Sequence, residues 1–255
     1  MPLAMALLLP HPADQDVGKV PACDEAAAAA GKELLEKKPG TIVVVQSAPF
    51  TPTDAFTPPT AEPAAVNVLG LDKVSSAGFG FETDLALIDE LATHARPAGW
   101  AVKRLPQIEF EPATVAALGT AGLAETSAKI VVATLPYRTP AELVDLGLVL
   151  GGVAKQSSSA VAVVVVANLS SRLDGDEERP DAKAYDSAVQ SAIKANDLKP
   201  IVQYEVARLE AAGEEAARPL ALVHGVIKGS GAALQSDLGA YEAPARVGYA
   251  VASWS

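Results

Sequence analysis

The sequence predicts an α/β protein, a single layered domain over residues 1–255 whose central, mostly parallel sheet is flanked by helices and followed by a C-terminal antiparallel strand pair. Three observations lead to this fold class. Strand-like and helix-like segments alternate through most of the chain. Runs rich in β-branched residues, such as Thr41–Gln46 and Ala160–Ala167, have the length and composition of buried central strands. The last two apolar segments, Leu238–Tyr241 and Val247–Trp254, look like an antiparallel pair.

The first half of the chain is expected to contain three strands and two helices. Leu3–Leu9 is apolar, but it lacks the basic flank of a secretory signal and runs into Pro10, which favours a buried strand. An alanine-rich helix follows, from about Asp24 to Lys38, and ends where Pro39-Gly40 forbids its continuation. The other expected elements are the strands Thr41–Gln46 and Val66–Leu69 and a helix over Asp84–His94 with Thr83 as its N-cap.

The second half continues the alternation. Lys129–Leu135 has the composition of a buried strand. Thr139-Pro140-Ala141-Glu142 is a capping box with proline at the first helical position, which predicts a helix that runs to about Lys155. The acidic cluster within residues 174–178 is expected to be a solvated loop. Further helices are expected near Ala182–Lys194, Ile201–Ala212 and Pro219–Ile227.

The composition excludes several classes of function. The formal net charge of −11 argues against binding to nucleic acid or to an anionic membrane surface, because both reward Lys and Arg. No apolar run reaches the ~20 residues that a membrane-spanning helix needs. Cys23 is the only cysteine, so neither an intrachain disulfide nor a thiolate zinc site can form. A reducing, cytoplasmic location is therefore expected.

Three histidines limit the chemistry that the chain can perform. His11 directly follows the first strand, with Asp14 and Asp16 close behind, and this position suits a metal ligand or a base. A loop histidine without a chemical role explains the same position equally well. His94, late in a helix, is expected to complement the helix C-terminus. His224, within an apolar helix, is expected to be buried and hydrogen-bonded.

A ligand cleft is expected beside the loop Ser47–Pro63, which contains five prolines and follows a strand end. The sequence contains no Gly-x-Ser-x-Gly elbow and no Walker loop. Gly78 and Gly80 lack the third glycine of a dinucleotide-binding turn. The residues alone therefore predict an α/β domain with a candidate site near His11.

Landmarks spread over nearly the whole chain carry a family resemblance. Leu9–Pro12, with Gly18-Lys19 shortly after, is similar to a first strand that ends in an iron-ligand histidine, and Thr41–Val45 is similar to the second strand. The closing segments Tyr241–Pro244 and Val247–Ala252 are the most specific match. Together these segments resemble the superfamily of class III extradiol ring-cleavage dioxygenases, including its MEMO-like branch. The resemblance implies the same α/β fold.

The resemblance also implies a metal site, and the chain departs from the family pattern there. In the family, two histidines and one carboxylate bind Fe²⁺. His11 matches the first histidine, but Ala48 stands where the second would be. Glu214 matches the carboxylate, with the neighbouring Glu215 as the alternative register. The incomplete pair His11 and Glu214 implies that Fe²⁺ is absent, unless Asp14, Asp16 or His224 completes the set.

The residues implied for acid–base chemistry have changed as well. The family's Gly-Asp-Leu-Ser-His segment resembles Ala167–Ser171, so Ser171 stands in place of the proton-transfer histidine. Pro112 replaces a pocket histidine in a segment that resembles Asp-His-Gly-Thr. A serine hydroxyl cannot transfer protons near neutral pH as imidazole does. The implied cleft is lined by His11, Asp14, Ala48, Pro112, Asn168, Ser171 and Glu214, with Ser171 as the candidate catalytic residue.

Two functions follow from the resemblance. The first is a degenerate, non-catalytic member of the superfamily that binds a small-molecule ligand or a partner protein through the residual cleft. The second is a metal-dependent, dioxygenase-like oxidoreductase that acts on a catechol-type aromatic substrate with an altered site. Neither involves nucleic acid or a membrane, and the sequence leaves the choice between binding protein and enzyme open.

Overall fold

A computed structural model of the chain describes residues 3–11, 16, 18–46, 64–69, 73–76, 79–106, 112–136, 138–173 and 180–255. The strands within these residues are β1 (Leu3–Leu9), β2 (Thr41–Gln46), β3 (Ala64–Leu69), β4 (Lys73–Ser76), β5 (Phe79–Glu82), β6 (Trp100–Leu105), β7 (Lys129–Thr134), β8 (Val161–Val166), β9 (Ser236–Glu242) and β10 (Tyr249–Trp254). The helices are α1 (Pro21–Glu36), α2 (Leu85–Ala95), α3 (Pro112–Thr120), α4 (Pro140–Gln156), α5 (Pro180–Lys194), α6 (Lys199–Val202), α7 (Val206–Ala212) and α8 (Ala217–Ser230).

Four parallel strands, in the order β7-β2-β8-β1, form the centre of an eight-stranded sheet. On one side β3 joins antiparallel to β7 and pairs in parallel with β6; on the other, β10 joins antiparallel to β1 and pairs with β9. β4 and β5 form a separate antiparallel pair. The predicted fold class is therefore confirmed, including the C-terminal antiparallel strand pair. Because the central strands are parallel, their carboxyl ends share one edge, where ligands bind in open α/β sheets.

The central strands are buried on both faces, which explains their nearly continuous apolar sequences. In β8, Val163 and Val165 face one core, while Val164 and Val166 face the other. The first core packs mainly against α2, α4, α5 and α8, and the second packs against α1 and α3. The alternation of side chains across a strand thus builds two aliphatic layers around one sheet.

Helices α4 and α8 approach each other closely through glycines. A Cβ atom on Gly147 or Gly151 of α4 would overlap backbone oxygens of α8, and one on Gly225 or Gly229 of α8 would overlap those of α4. A side chain at any of these four positions would push the helices apart. This packing fixes α8, whose preceding turn carries the carboxylates of the candidate site.

The helix caps follow local rules, with one correction. The Thr139 capping box is present, because Thr139 accepts the Glu142 N–H at 3.3 Å and the Glu142 carboxylate accepts the Thr139 N–H at 3.0 Å. Thr83 was expected to cap α2, but the cap is Asp84, whose carboxylate accepts the Leu87 N–H at 3.0 Å. Thr83 instead forms a bridge to β7.

Other expectations differ in extent. Helix α1 begins at Pro21 rather than Asp24, because proline is well suited to the first helical position. The expected helix Ile201–Ala212 consists of the two short helices α6 and α7. The loop Ser47–Pro63 and the acidic residues 174–178 lie outside the described residues. None of the described helices combines the length and the apolar character that a bilayer crossing requires.

Candidate functional site

The candidate site lies at the carboxyl edge of the sheet, where β1 and β8 end side by side. The register of these parallel strands pairs Leu9 with Val166, and the Ala167 N–H donates to the Leu9 carbonyl at 3.0 Å. The chain leaves the two strands at neighbouring points, so that His11, after β1, directly contacts Asn168, after β8. Two residues expected in one cleft are thus in contact, although 157 positions separate them.

The side-chain amide of Asn168 holds His11 from three directions. Its Oδ1 accepts the backbone N–H of His11 at 3.0 Å, and its Nδ2 donates to the backbone carbonyl of His11 at 3.1 Å. The same Nδ2 lies 3.3 Å from Nδ1 of the imidazole. Because the two backbone contacts fix which amide atom is nitrogen, Nδ2 is the donor toward the ring and Nδ1 accepts.

The carboxylate beside His11 belongs to Glu215. Its Oε2 lies 3.0 Å from Nε2 of His11 and also accepts the backbone N–H of Asn168 at 3.3 Å. The backbone N–H of Glu215 donates to the Leu169 carbonyl at 3.0 Å, which ties the turn before α8 to the segment after β8. His11, Asn168 and Glu215 therefore form one hydrogen-bonded triad, and the expected partner of His11, Glu214, is not part of it.

Glu214 instead occupies the first turn of α8. Its Oε2 accepts the Ala217 N–H at 2.7 Å, and the buried Tyr185 lies beside it. Burial raises the pKa of Glu214 to about 7, while the hydrogen bond from Ala217 and the charge of Arg218 act in the opposite direction. Burial and the nearby Glu214 charge raise the pKa of Tyr185. Glu214 is thus a partly protonated carboxyl at neutral pH and caps a helix.

Ser171, the candidate catalytic residue, lies three positions after Asn168 in the same segment. Its hydroxyl donates to the Gly213 carbonyl at 2.8 Å, and its backbone N–H donates to the same oxygen at 3.1 Å. Arg246 Nε donates to the Ser171 carbonyl at 3.4 Å. These contacts make Ser171 part of the connection between the segment after β8 and the turn that precedes α8.

A buried carboxylate supports this segment from below. Asp186, on α5, is 1% exposed. Its Oδ1 accepts the Ser170 N–H at 3.1 Å, and its Oδ2 accepts the Tyr241 hydroxyl at 2.8 Å. Burial raises the pKa of Asp186, and the hydrogen bonds from Tyr241 and Ser170 oppose that shift. A Cβ atom on Gly248 would overlap the carboxylate, so the glycine leaves space for the acid.

Asp186 was not among the site residues predicted from the sequence, although its helix carries a signal. Ala182, Tyr185, Val189 and Ile193 follow helical spacing and are all buried. Asp186 falls on that apolar face of the helix. An acid among buried apolar positions has to be paired, and such an acid marks a polar contact beneath a site.

Asp16 and Cys23 belong to a second buried group around Tyr249. The Tyr249 hydroxyl donates to Asp16 Oδ2 at 2.7 Å, and Lys19 Nζ lies 3.8 Å from Asp16 Oδ1. The Cys23 N–H donates to Glu242 at 2.8 Å. Burial, followed by the charge of Glu242, raises the pKa of Cys23 to about 12, so the thiol stays protonated at neutral pH and is a poor nucleophile.

The remaining predicted residues lie elsewhere. Asp14 and Ala48 are outside the described residues. Pro112 is the exposed first residue of α3, and no described contact joins it to the triad. His94 pairs with Glu90 at 3.6 Å in the last turn of α2. His224 is only half-buried in α8, and burial lowers its pKa.

Fe²⁺, which the family resemblance implies, does not fit the donor set. The 3.0 Å between His11 Nε2 and Glu215 Oε2 suits two adjacent ligands at about 2.1 Å from one ion. Among the described residues, however, no group of three or more His, Cys, Asp and Glu side chains could hold a metal ion. The Asn168 amide also presents a donor to His11 Nδ1, where a metal-bound imidazole needs an acceptor. No reaction step through iron follows from this arrangement.

Comparison with known proteins extends the fold but not the function. No family model matches the chain, and no curated protein matches it. Among solved structures, the chain is similar to the uncharacterized protein JW3007 from Escherichia coli K12, with a TM-score of 0.69 and 14% sequence identity. The similarity covers 99% of this chain and 100% of that one. At this identity, the likeness shows a shared fold alone.

Proposed function

We propose that this protein is a non-catalytic member of the class III extradiol dioxygenase superfamily, and that it binds a small ligand or a partner protein at the carboxyl edge of its sheet. The observation that carries the proposal is the state of His11. Asn168 engages Nδ1 of its imidazole, and Glu215 engages Nε2. An imidazole held at both nitrogens is a structural hydrogen-bonding group, without a free lone pair for a metal ion or a substrate proton.

The lack of a second imidazole near His11 supports the proposal. His94 and His224, the other two histidines of the chain, lie in α2 and α8. The residue that replaces the family's proton-transfer histidine, Ser171, gives its hydroxyl proton to the Gly213 carbonyl. General acid–base catalysis contributes about 10²–10⁴-fold to a rate, so its loss alone would leave little turnover. A scaffold with an intact sheet edge and without this chemistry is suited to binding.

One observation favours a second candidate function, a metal-dependent oxidoreductase that acts on a catechol-type substrate. The spacing between His11 Nε2 and Glu215 Oε2 would allow both atoms to bind one ion if another residue supplied the remaining ligand. Asp14 is a candidate for that ligand, and it lies outside the described residues. The two functions therefore differ in whether His11 gives a lone pair to a metal.

The same proposal covers the setting in which the protein acts. The net charge of −11 disfavours nucleic acid and anionic lipid as partners. The single, buried cysteine agrees with the reducing cytoplasm. A ligand retained through native purification and identified by mass spectrometry would favour the small-molecule form of the proposal, whereas a co-purifying protein lost in a triad variant would favour the partner form.

A ring-cleavage assay tests the proposal against the second candidate. The protein is supplied with ferrous iron, oxygen and a panel of catechols such as protocatechuate, and the absorbance is followed. The expected result is no product above the iron blank. A yellow muconic semialdehyde chromophore that forms in proportion to protein concentration, and is lost in His11→Ala, would establish the oxidoreductase instead.

A further inference from the structure

We propose that Asn168 determines what the candidate site can bind, because its amide holds His11 in the tautomer that excludes metal ions. The inference rests on the proposed function and names the residue that enforces it. It depends on the hydrogen-bond directions around one side chain, which the contacts of the triad define without reference to any ligand.

The orientation of the Asn168 amide follows from the backbone of His11. A backbone N–H can only donate and a carbonyl can only accept. The atom 3.0 Å from the His11 N–H is therefore the amide oxygen, and the atom 3.1 Å from the His11 carbonyl is the amide nitrogen. Rotating the amide by half a turn would set donor against donor and acceptor against acceptor. Two backbone contacts thus oppose that rotation.

The orientation of the amide in turn selects the tautomer of the ring. The amide nitrogen is 3.3 Å from His11 Nδ1, and since it carries hydrogens, Nδ1 must be the bare, accepting nitrogen. The ring hydrogen is then on Nε2, which lies 3.0 Å from Glu215 Oε2 and donates to it. All four hydrogen-bonding groups of the triad are satisfied in this arrangement and in no other tautomer.

Metal binding requires the opposite tautomer. A neutral imidazole that binds an ion through Nε2 carries its hydrogen on Nδ1, and that N–H is normally accepted by a carboxylate, a carbonyl or water. Here it would point at the hydrogens of the Asn168 amide. The ion would therefore lose the amide contacts or bind against them, even though Glu215 stands at a suitable spacing for a second ligand.

The substitution Asn168→Asp reverses this preference. A carboxylate accepts with both oxygens, so one oxygen keeps the His11 N–H and the other accepts from Nδ1–H. The loss of the bond to the His11 carbonyl is offset by the charge-assisted bond from the ring. The lone pair of Nε2 then faces Glu215 and the cleft. Outer-sphere partners of this kind change metal affinity by about 10–100-fold.

The test measures Co²⁺ binding and the tautomer of His11 on the full chain. Titration followed by d–d absorption or calorimetry is expected to show binding by Asn168→Asp that is about 10–100-fold tighter than by the wild type. The double variant Asn168→Asp/His11→Ala should lose the gain. Asn196→Asp is the charge-matched control, because Asn196 bonds Leu234 and Ser236 on another part of the surface.

Side-chain ¹⁵N NMR of the three histidines gives a second readout that needs no metal. His11 of the wild type is expected as the Nε2–H tautomer, and His11 of Asn168→Asp as the Nδ1–H tautomer. Asn168→Ala, which removes the amide without adding charge, should lose the single-tautomer signature. If Asn168→Ala does not fold, the tautomer of Asn168→Asp decides alone.

The outcomes separate this inference from the proposed function. A wild-type protein with His11 already as Nδ1–H, or equal Co²⁺ affinity of Asn168→Asp and Asn196→Asp, would overturn the role of Asn168 alone. Tight Co²⁺ binding by the wild type would overturn the proposed function together with it. Weak binding by the wild type and a His11-dependent gain in Asn168→Asp would support both.

Discussion

Glu214 and Glu215 are consecutive residues whose carboxylates serve different partners. Glu215 Oε2 lies 3.0 Å from Nε2 of His11, while Glu214 Oε2 lies 2.7 Å from the backbone nitrogen of Ala217. The first carboxylate is part of the candidate site, and the second caps α8 and is desolvated beside Tyr185. Two acids of identical chemistry thus acquire separate roles from their surroundings.

The first prediction concerns pH and the substitution Glu214→Gln. The folded-state pKa of Glu214 is about 7, above its ordinary value of 4.5, so between these values the folded protein holds more protons than the unfolded chain. The free energy of unfolding should therefore fall as the pH rises through this window, by up to about 3 kcal/mol. Glu214→Gln removes the titration and keeps an acceptor for the Ala217 N–H.

Urea denaturation at about pH 5 and about pH 8 checks this expectation. At the lower pH, glutamine and the protonated acid are near-isosteric, so the two proteins should be similarly stable. At the higher pH, the variant should be the more stable protein. An unchanged difference between the two pH values would mean that Glu214 is not the buried, desolvated group described above.

Much of the fold could be predicted from the sequence, because the signals are local. The β-branched runs of β2 and β8 and the Thr139 capping box each specify an element without reference to the rest of the chain. Elements with weak local signals were missed. β6 is an edge strand whose exposed Lys103 and Arg104 interrupt its apolar pattern, and α3 is short and apolar on most sides.

The candidate site was predictable only in part, since its contacts join distant residues. The position of His11 after a strand indicated the edge of the sheet, and the family resemblance added Asn168. The choice between Glu214 and Glu215 depends on how one turn enters α8, which no local pattern specifies. The role of Asp186 depends on partners on a loop and on another strand, Ser170 and Tyr241.

A second prediction compares two neighbouring glycines of α4. A Cβ atom at Gly151 would overlap the backbone of α8, whereas one at Gly152 meets no atom within 4 Å. Gly151→Ala should therefore destabilise the protein by about 1–3 kcal/mol or more, because the helices must separate. Gly152→Ala should stabilise it by roughly 0.5–1 kcal/mol, through the better helix propensity of alanine.

Chemical denaturation of both variants measures this difference. The two substitutions add the same methyl group to the same helix, so propensity is matched and only the contact with α8 differs. Equal effects of the two substitutions would show that the close approach of α4 and α8 is not as described.

A third prediction tests the pairing of Gly248 with Asp186 in a double-mutant cycle. The Cβ atom of Gly248→Ala would overlap the Asp186 carboxylate, so this substitution should cost about 1–3 kcal/mol in the wild type. In the background of Asp186→Ala, the space is open and the same substitution should cost little. The coupling energy between the two sites should therefore fall within the roughly 0.5–3 kcal/mol typical of residues in contact.

Thermal and urea unfolding of the four proteins in this cycle provide the measurement. Asp186→Ala alone should also be destabilising, since it leaves the Ser170 N–H and the Tyr241 hydroxyl without their acceptor. Additive effects of the two substitutions would contradict the assignment of Gly248 as the residue that leaves space for the acid.

The metal content of the wild-type protein tests the central claim most directly. The claim is that Asn168 and Glu215 hold His11 as a structural hydrogen-bonding group, so protein purified without chelators should contain well under one equivalent of iron, zinc or other transition metal by elemental analysis. His11→Ala should then leave the metal content unchanged. Near-stoichiometric metal in the wild type that disappears in His11→Ala would contradict the account and identify His11 as a ligand.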